Sequence, residues 1–123
     1  MKSIGLALTI WAIAGMASAA PEPVTNTTKA PYRESRVYCN DALLRPSEAE
    51  NIACYNHDAC YSDPQGRSRA ECDEGYLRDM RSAGLGTRGY VKYRALRVWG
   101  SISWKRCREN DIRQAKRRAD RQG

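Results

Sequence analysis

The residues able to do chemistry are concentrated in CYNHDACY, residues 54–61, which holds the only histidine of the chain. His57 has Asp58 beside it, a cysteine three residues to either side (Cys54 and Cys60) and Tyr61 behind. Imidazole is the side chain whose unperturbed charge change lies near neutral pH, so His57 is the candidate base. At about 100° per residue, Cys54, His57, Asp58, Cys60 and Tyr61 share an arc of about 160° on one side of a helix. Cysteines tied to different neighbouring segments would grip the histidine from both sides and preorganise it.

A second carboxylate is conspicuous in CDEGYLRDM, residues 72–80. On the same rule Asp73 falls between Met80 and Leu77 inside an apolar stripe, with Glu71, Glu74, Arg78 and Arg81 opposite. A carboxylate aimed at a core must be paired. The candidate partners are the His57 imidazole and the hydroxyls of Tyr61 or Tyr76. Asp73 would then hold the tautomer of His57 and stabilise the imidazolium. Asp58 points to an adjacent side, free to bind a hard cation together with loop carbonyls. No serine or thiolate is obviously paired with His57, so activated water is the natural nucleophile, with a cation beside it to stabilise a developing oxyanion. A zinc site from Cys54, His57, Cys60 and Cys72 has a superficially permissive spacing, but it needs free thiolates and leaves Asp73 without a role.

The elements that must position these groups read as helices. Ser47 and Glu50 form a capping box, Ser47 capping and Glu50 reaching back, so a first helix begins near Pro46 and runs to Tyr61. SDPQG, residues 62–66, ends it as a turn. A second helix runs from about Ser68 to Met80 or Ser82. GLGTRG, residues 84–89, reads as a flexible connection, and a third helix covers roughly Tyr90 to Trp99 and stops at Gly100. The tail is expected to add a short helix around Trp104 and Cys107 and then fray. No segment alternates with a strand period over a useful length, so the fold class is mainly all-α.

The ends of the chain set its compartment. Lys2 precedes an apolar run over residues 4–17, too short to span a bilayer comfortably, and a small-residue site follows. Residues 1–19 therefore read as a signal peptide cut after Ala19 or Ala20, which makes the protein secreted. What remains is one domain of roughly 100 residues, small enough to need staples. All five cysteines, Cys39, Cys54, Cys60, Cys72 and Cys107, lie in that part, and secretion makes disulfides their default reading. The odd count leaves one free or paired between chains. Residues 20–35 read as a linker or pro-segment. Residues 101–123 hold eight Lys or Arg against three acids, so most of the net charge of +7 is in this basic extension. Such a charge suits an anionic surface.

With these motifs in place the chain resembles the secreted phospholipases A2. CYNHDACY resembles the active-site helix of that family, with Ala53 where the animal enzymes carry a further cysteine. CDEGYLRDM is similar to the second helix of its bacterial and fungal branch, and YRALRVWG, residues 93–100, to the last helix of that branch. The resemblance covers about residues 36–100. It implies a disulfide-stapled domain with two antiparallel core helices carrying the site. His57 would be the general base and Asp73 its orienter, and Tyr61 would hydrogen-bond Asp73. Asp58 would bind Ca2+, completed by the Tyr38 backbone or its neighbours, with Asn40 or Asp41 as substitutes. The pairs Cys39–Cys54 and Cys60–Cys72 are implied, leaving Cys107 unpaired and available for an intermolecular bond; Cys54–Cys107 with Cys39 free is the rival connectivity. The implied activity is calcium-dependent hydrolysis of the sn-2 ester of glycerophospholipids at an anionic membrane surface, with no nucleic-acid partner. The alternative is a non-catalytic or weakly catalytic membrane-binding or membrane-perturbing protein on the same fold. One departure is plain: Val37 replaces the acid the bacterial branch carries two residues before its loop cysteine, and no glycine lies between Gly15 and Gly66.

Overall fold

A computed structural model describes residues 19–40 and 45–123. The signal-peptide reading of residues 1–18 and the candidate ligand Asp41 lie outside the described residues. Among the described residues there are three helices and no strand: α1 (Glu48–Ser62), α2 (Arg69–Ser82) and α3 (Gly86–Gln122). The small all-α, disulfide-stapled architecture is as expected.

The first two helices start where their serines direct. Ser47 Oγ accepts from the Glu50 amide at 3.2 Å and Ser68 Oγ from the Glu71 amide at 3.2 Å, each satisfying an orphan donor of the first turn. The expected capping box is half made. Glu50 is buried, and its Oε1 is drawn to Lys92 Nζ at 2.8 Å and Arg88 Nε at 3.0 Å on α3. Two cations on a neighbouring helix outcompete one neutral amide for that carboxylate. After α2 the chain turns in three residues. Gly84 at φ 76° lets its amide reach the Arg81 carbonyl at 3.0 Å while the Leu85 amide reaches the Met80 carbonyl at 2.9 Å, a Schellman closure. The connection expected over residues 84–89 is therefore shorter, and α3 begins inside it.

Contacts fix the directions. Cys60 meets Cys72, His57 meets Asp73 and Asn56 meets Asp79, so α1 and α2 run antiparallel. Met80 faces Gly89 while Asp73 faces Arg97, so α2 and α3 are antiparallel as well. Ala53, Tyr76 and Met80 form the central cluster, joined by Leu85 and Leu96. Both disulfides implied by the resemblance are formed, Cys39–Cys54 and Cys60–Cys72, and Cys107 is free.

Two expectations are corrected. Gly100 does not stop a helix; it lies inside the 37-residue α3. A Cβ there would sit 2.7 Å from the Tyr61 hydroxyl and 3.2 Å from Arg69 Nη1, so its small size serves close approach rather than termination. The tail does not form a separate short helix that frays, because its first turns have packing partners. The Trp104 ring meets Tyr61 edge-on at 5.2 Å, and the Arg108 guanidinium stacks on Trp104 at 4.9 Å and donates to the Tyr61 carbonyl. Cys107 is half-buried against the Cys60–Cys72 bridge, where burial pushes its thiol up.

Residues 20–35 carry no helix or strand, yet they are held along α1 by side chains. Asn56 Oδ1 accepts from the Val24 amide at 2.9 Å and its Nδ2 donates to the Glu22 carbonyl at 2.9 Å. Tyr55 donates to the Ala30 carbonyl at 2.8 Å, and Tyr32 packs on Tyr38 and Tyr55. Asn51, buried on α1, accepts the Tyr38 amide at 2.7 Å and donates to the Arg36 carbonyl at 2.7 Å. That asparagine does for residues 36–38 what a neighbouring strand would do, and it holds Tyr38 on the cavity that His57 also lines.

Candidate active site

The helix pairing brings Asp73, fully buried, to His57. His57 Nε2 lies 2.8 Å from Asp73 Oδ1, and the Tyr61 hydroxyl donates to the same oxygen at 2.6 Å. Acceptance by the carboxylate places the proton on Nε2 and leaves Nδ1 with its lone pair. The Cys60–Cys72 bridge, with Cα atoms 5.6 Å apart, fixes the two helices next to this contact. The Tyr76 ring meets the imidazole edge-on at 5.6 Å, which limits its rotation.

The other carboxylate oxygen has partners that the helix periodicity does not indicate. Arg97 Nη1 donates to Asp73 Oδ2 at 2.9 Å, and Arg69 Nη1 stands 3.6 Å from the same atom. Arg69 also donates to the Leu96 carbonyl at 3.0 Å, so one guanidinium ties α2, α3 and the acid together. Arg69 could have been found, since it precedes Asp73 by one helical turn. Arg97 left no local signal, because its partner is on another helix. Burial, the largest single influence on Asp73, favours the neutral acid. Hydrogen bonds from His57, Tyr61 and Arg97 together outweigh it and hold the carboxyl below its ordinary range. Tyr61 moves the other way: burial and its bond to the Asp73 carboxylate push the phenol well above its ordinary value.

His57 and Asp58 line a cavity of about 320 Å³. Tyr38, Asn40 and the Cys39–Cys54 bridge form one wall, and Lys92, Leu96 and Trp99 of α3 another. Among the described residues no hydrogen bond or ion pair engages the Asp58 carboxylate. Burial pushes its pKa up, against the opposing charges of Lys29, His57 and Arg36. The expected site residues His57, Asp73 and Tyr61 are thus in direct contact, and Asp58, Tyr38 and Asn40 share one cavity with His57. Among the described residues no three His, Cys, Asp or Glu side chains are placed to hold a metal, so a cation here would depend on one carboxylate and on carbonyl oxygens. The zinc alternative fails because Cys54, Cys60 and Cys72 are all consumed in disulfides.

No known protein family, curated protein or solved structure matches the chain.

Proposed function

We propose that the chain is a secreted, calcium-dependent phospholipase A2-like hydrolase that cleaves the sn-2 ester of glycerophospholipids. The observation that supports this most is the buried Tyr61–Asp73–His57 chain leading to a cavity that is also lined by Asp58, a carboxylate with no hydrogen bond or ion pair among the described residues. Asp73 fixes the imidazole with Nε2 as donor, and Nδ1 takes a proton from water as that water attacks the ester carbonyl. The tetrahedral adduct collapses with cleavage of the carbonyl-to-glycerol C–O bond. The imidazolium returns its proton to the departing alkoxide, giving a fatty acid and a lysophospholipid. Leu96, Trp99 and Tyr38 give the cavity apolar walls for an acyl chain.

The residues fit a hard cation. Asp58 is a part-buried carboxylate that no hydrogen bond or ion pair engages among the described residues, and Tyr38 and Asn40, which line the same cavity, would add carbonyl oxygens, the donor type calcium takes. When bound, calcium supplies positive charge for the ester oxygen as it becomes an oxyanion. Asp58→Asn is expected to lower sn-2 fatty-acid release by on the order of 10²-fold and to remove its response to added calcium. Equal rates and equal calcium dependence in Asp58→Asn and wild type contradict the assignment.

A second reading is a non-catalytic or weakly catalytic membrane-binding or membrane-perturbing protein on the same fold. It is favoured by one observation: α3 keeps Val91, Val98, Trp99 and Ile102 in solvent.

A further inference from the structure

The outward face of α3 changes character along its length. Val91, Val98, Trp99 and Ile102 are each more than 60% exposed. At 100° per residue they occupy an arc of about 100° on the side away from α2. The same arc continues down the helix as Arg106, Arg113, Lys116 and Arg117, with Lys105 about 20° from its edge, all exposed, against the acids Glu109 and Asp120. Glu109 is itself engaged by Arg113 at 3.8 Å. An apolar stripe therefore runs without turning into a cationic strip, along a helix about 55 Å long. Trp99 is shared between the stripe and the wall of the cavity that holds His57.

An apolar patch of this kind on a small protein marks a contact surface. Its continuation in cations defines the complement: a surface offering apolar depth and negative charge side by side. A nucleic acid offers the charge without the depth. A second copy of this chain would set cation against cation. No helix is long and apolar enough to cross a membrane among the described residues, so the face lies along an interface rather than through it.

The geometry points to the outward face of α3, from Val91 to Arg117, as a docking surface for an anionic phospholipid bilayer. The stripe enters the headgroup–acyl boundary and the cationic strip lies against the headgroups. The mouth of the cavity beside Trp99 is then held at the lipid surface. This deepens the hydrolase reading, and in its last clause rests on it, by naming the surface that presents substrate to the site.

The test uses the purified protein carrying His57→Gln, so that vesicles stay intact, and measures sedimentation with vesicles of phosphatidylglycerol or of phosphatidylcholine. Two variants are compared with it, Val98→Ser/Ile102→Ser and Lys105→Gln/Arg106→Gln/Lys116→Gln. Preference for phosphatidylglycerol is expected, weakened by salt. The triple charge variant is expected to lose on the order of 100-fold in binding, about fivefold per cation. The stripe variant is expected to lose at least tenfold on the same vesicles. Hydrolysis of a short-chain phospholipid kept monomeric is then measured with His57 restored, and neither set of substitutions is expected to change it. Vesicle binding unaffected by both sets overturns the docking surface. So does a stripe variant that only dissociates a dimer in sedimentation, or a charge variant that loses binding to a DNA duplex but not to vesicles. Vesicle binding as expected, with no hydrolysis of the monomeric substrate by the unsubstituted protein, upholds the docking surface and overturns the hydrolase reading alone.

Discussion

Asp73→Asn is expected to reduce sn-2 hydrolysis by about three to four orders of magnitude while leaving the helices in place. The amide has the shape of the carboxylate but two different ends. Arg97 and Arg69 both address Oδ2, and guanidinium groups only donate, so the atom facing them must be the oxygen. The amide nitrogen must then occupy the Oδ1 position and present N–H to His57. The imidazole answers by using Nε2 as acceptor, which moves its proton to Nδ1 and removes the base. A forced wrong tautomer of this kind costs about 10⁴ in the serine-protease triad. Some stability is lost as well, on the order of 1–3 kcal/mol, because charge-assisted hydrogen bonds become neutral ones. Rates corrected for folded fraction by circular dichroism separate the two effects. An Asp73→Asn rate within tenfold of wild type would show that Asp73 does not set the tautomer.

Gly89→Val is expected to be among the most destabilising single changes in the helical core. A Cβ at Gly89 would overlap Met80 Cβ and lie 3.1 Å from Met80 Cγ. Met80 is completely buried, and its Cβ is fixed to the backbone of α2, so relief requires the helices to separate. Replacing a helical glycine gains up to about 1 kcal/mol in propensity. Overpacking by this amount costs about 1–3 kcal/mol for the first carbon, and the branched side chain adds to it. The net loss lowers Tm by roughly 4–8 °C for each kcal/mol in a domain of this size. Gly75→Ala on α2 is the control. Its Cβ meets only the far end of Arg78 at 3.4 Å, so the propensity gain survives and Tm rises. A rise in Tm for both substitutions would mean that α2 and α3 are not closely packed at Gly89.

These effects show which parts of the molecule the sequence could announce. Ser47 and Ser68 mark two helix starts because a capping hydroxyl acts on its own first turn. Asp73 stood out because a carboxylate inside an apolar stripe demands a partner, and a tyrosine and a histidine on the preceding helix could supply it. The arginines on Oδ2 were not legible in the same way: Arg97 looks like any surface cation until α3 is folded back on α2. The role of Gly100 is hidden in the sequence for a related reason. A glycine that ends a helix and one that admits a tyrosine hydroxyl are identical in sequence, and only the Tyr61 contact distinguishes them. The continuation of α3 is equally hidden, because the many basic residues up to Gln122 conceal two packing groups, Trp104 and Cys107, that hold the helix against α1. Residues 20–35 lack periodicity because asparagine and tyrosine side chains of α1, not a repeating pattern of their own, determine their path.

Whether His57, oriented by Asp73, activates water against a phospholipid ester is decided by release of sn-2 fatty acid from phosphatidylglycerol vesicles in the presence of calcium, comparing wild type with His57→Gln. Wild type is expected to release fatty acid, EDTA to stop it, and His57→Gln to lower the rate by at least 10³-fold with its circular dichroism unchanged. Fatty-acid release by His57→Gln at the wild-type rate, or vesicle leakage by both proteins with no fatty acid released by either, would contradict that role of His57.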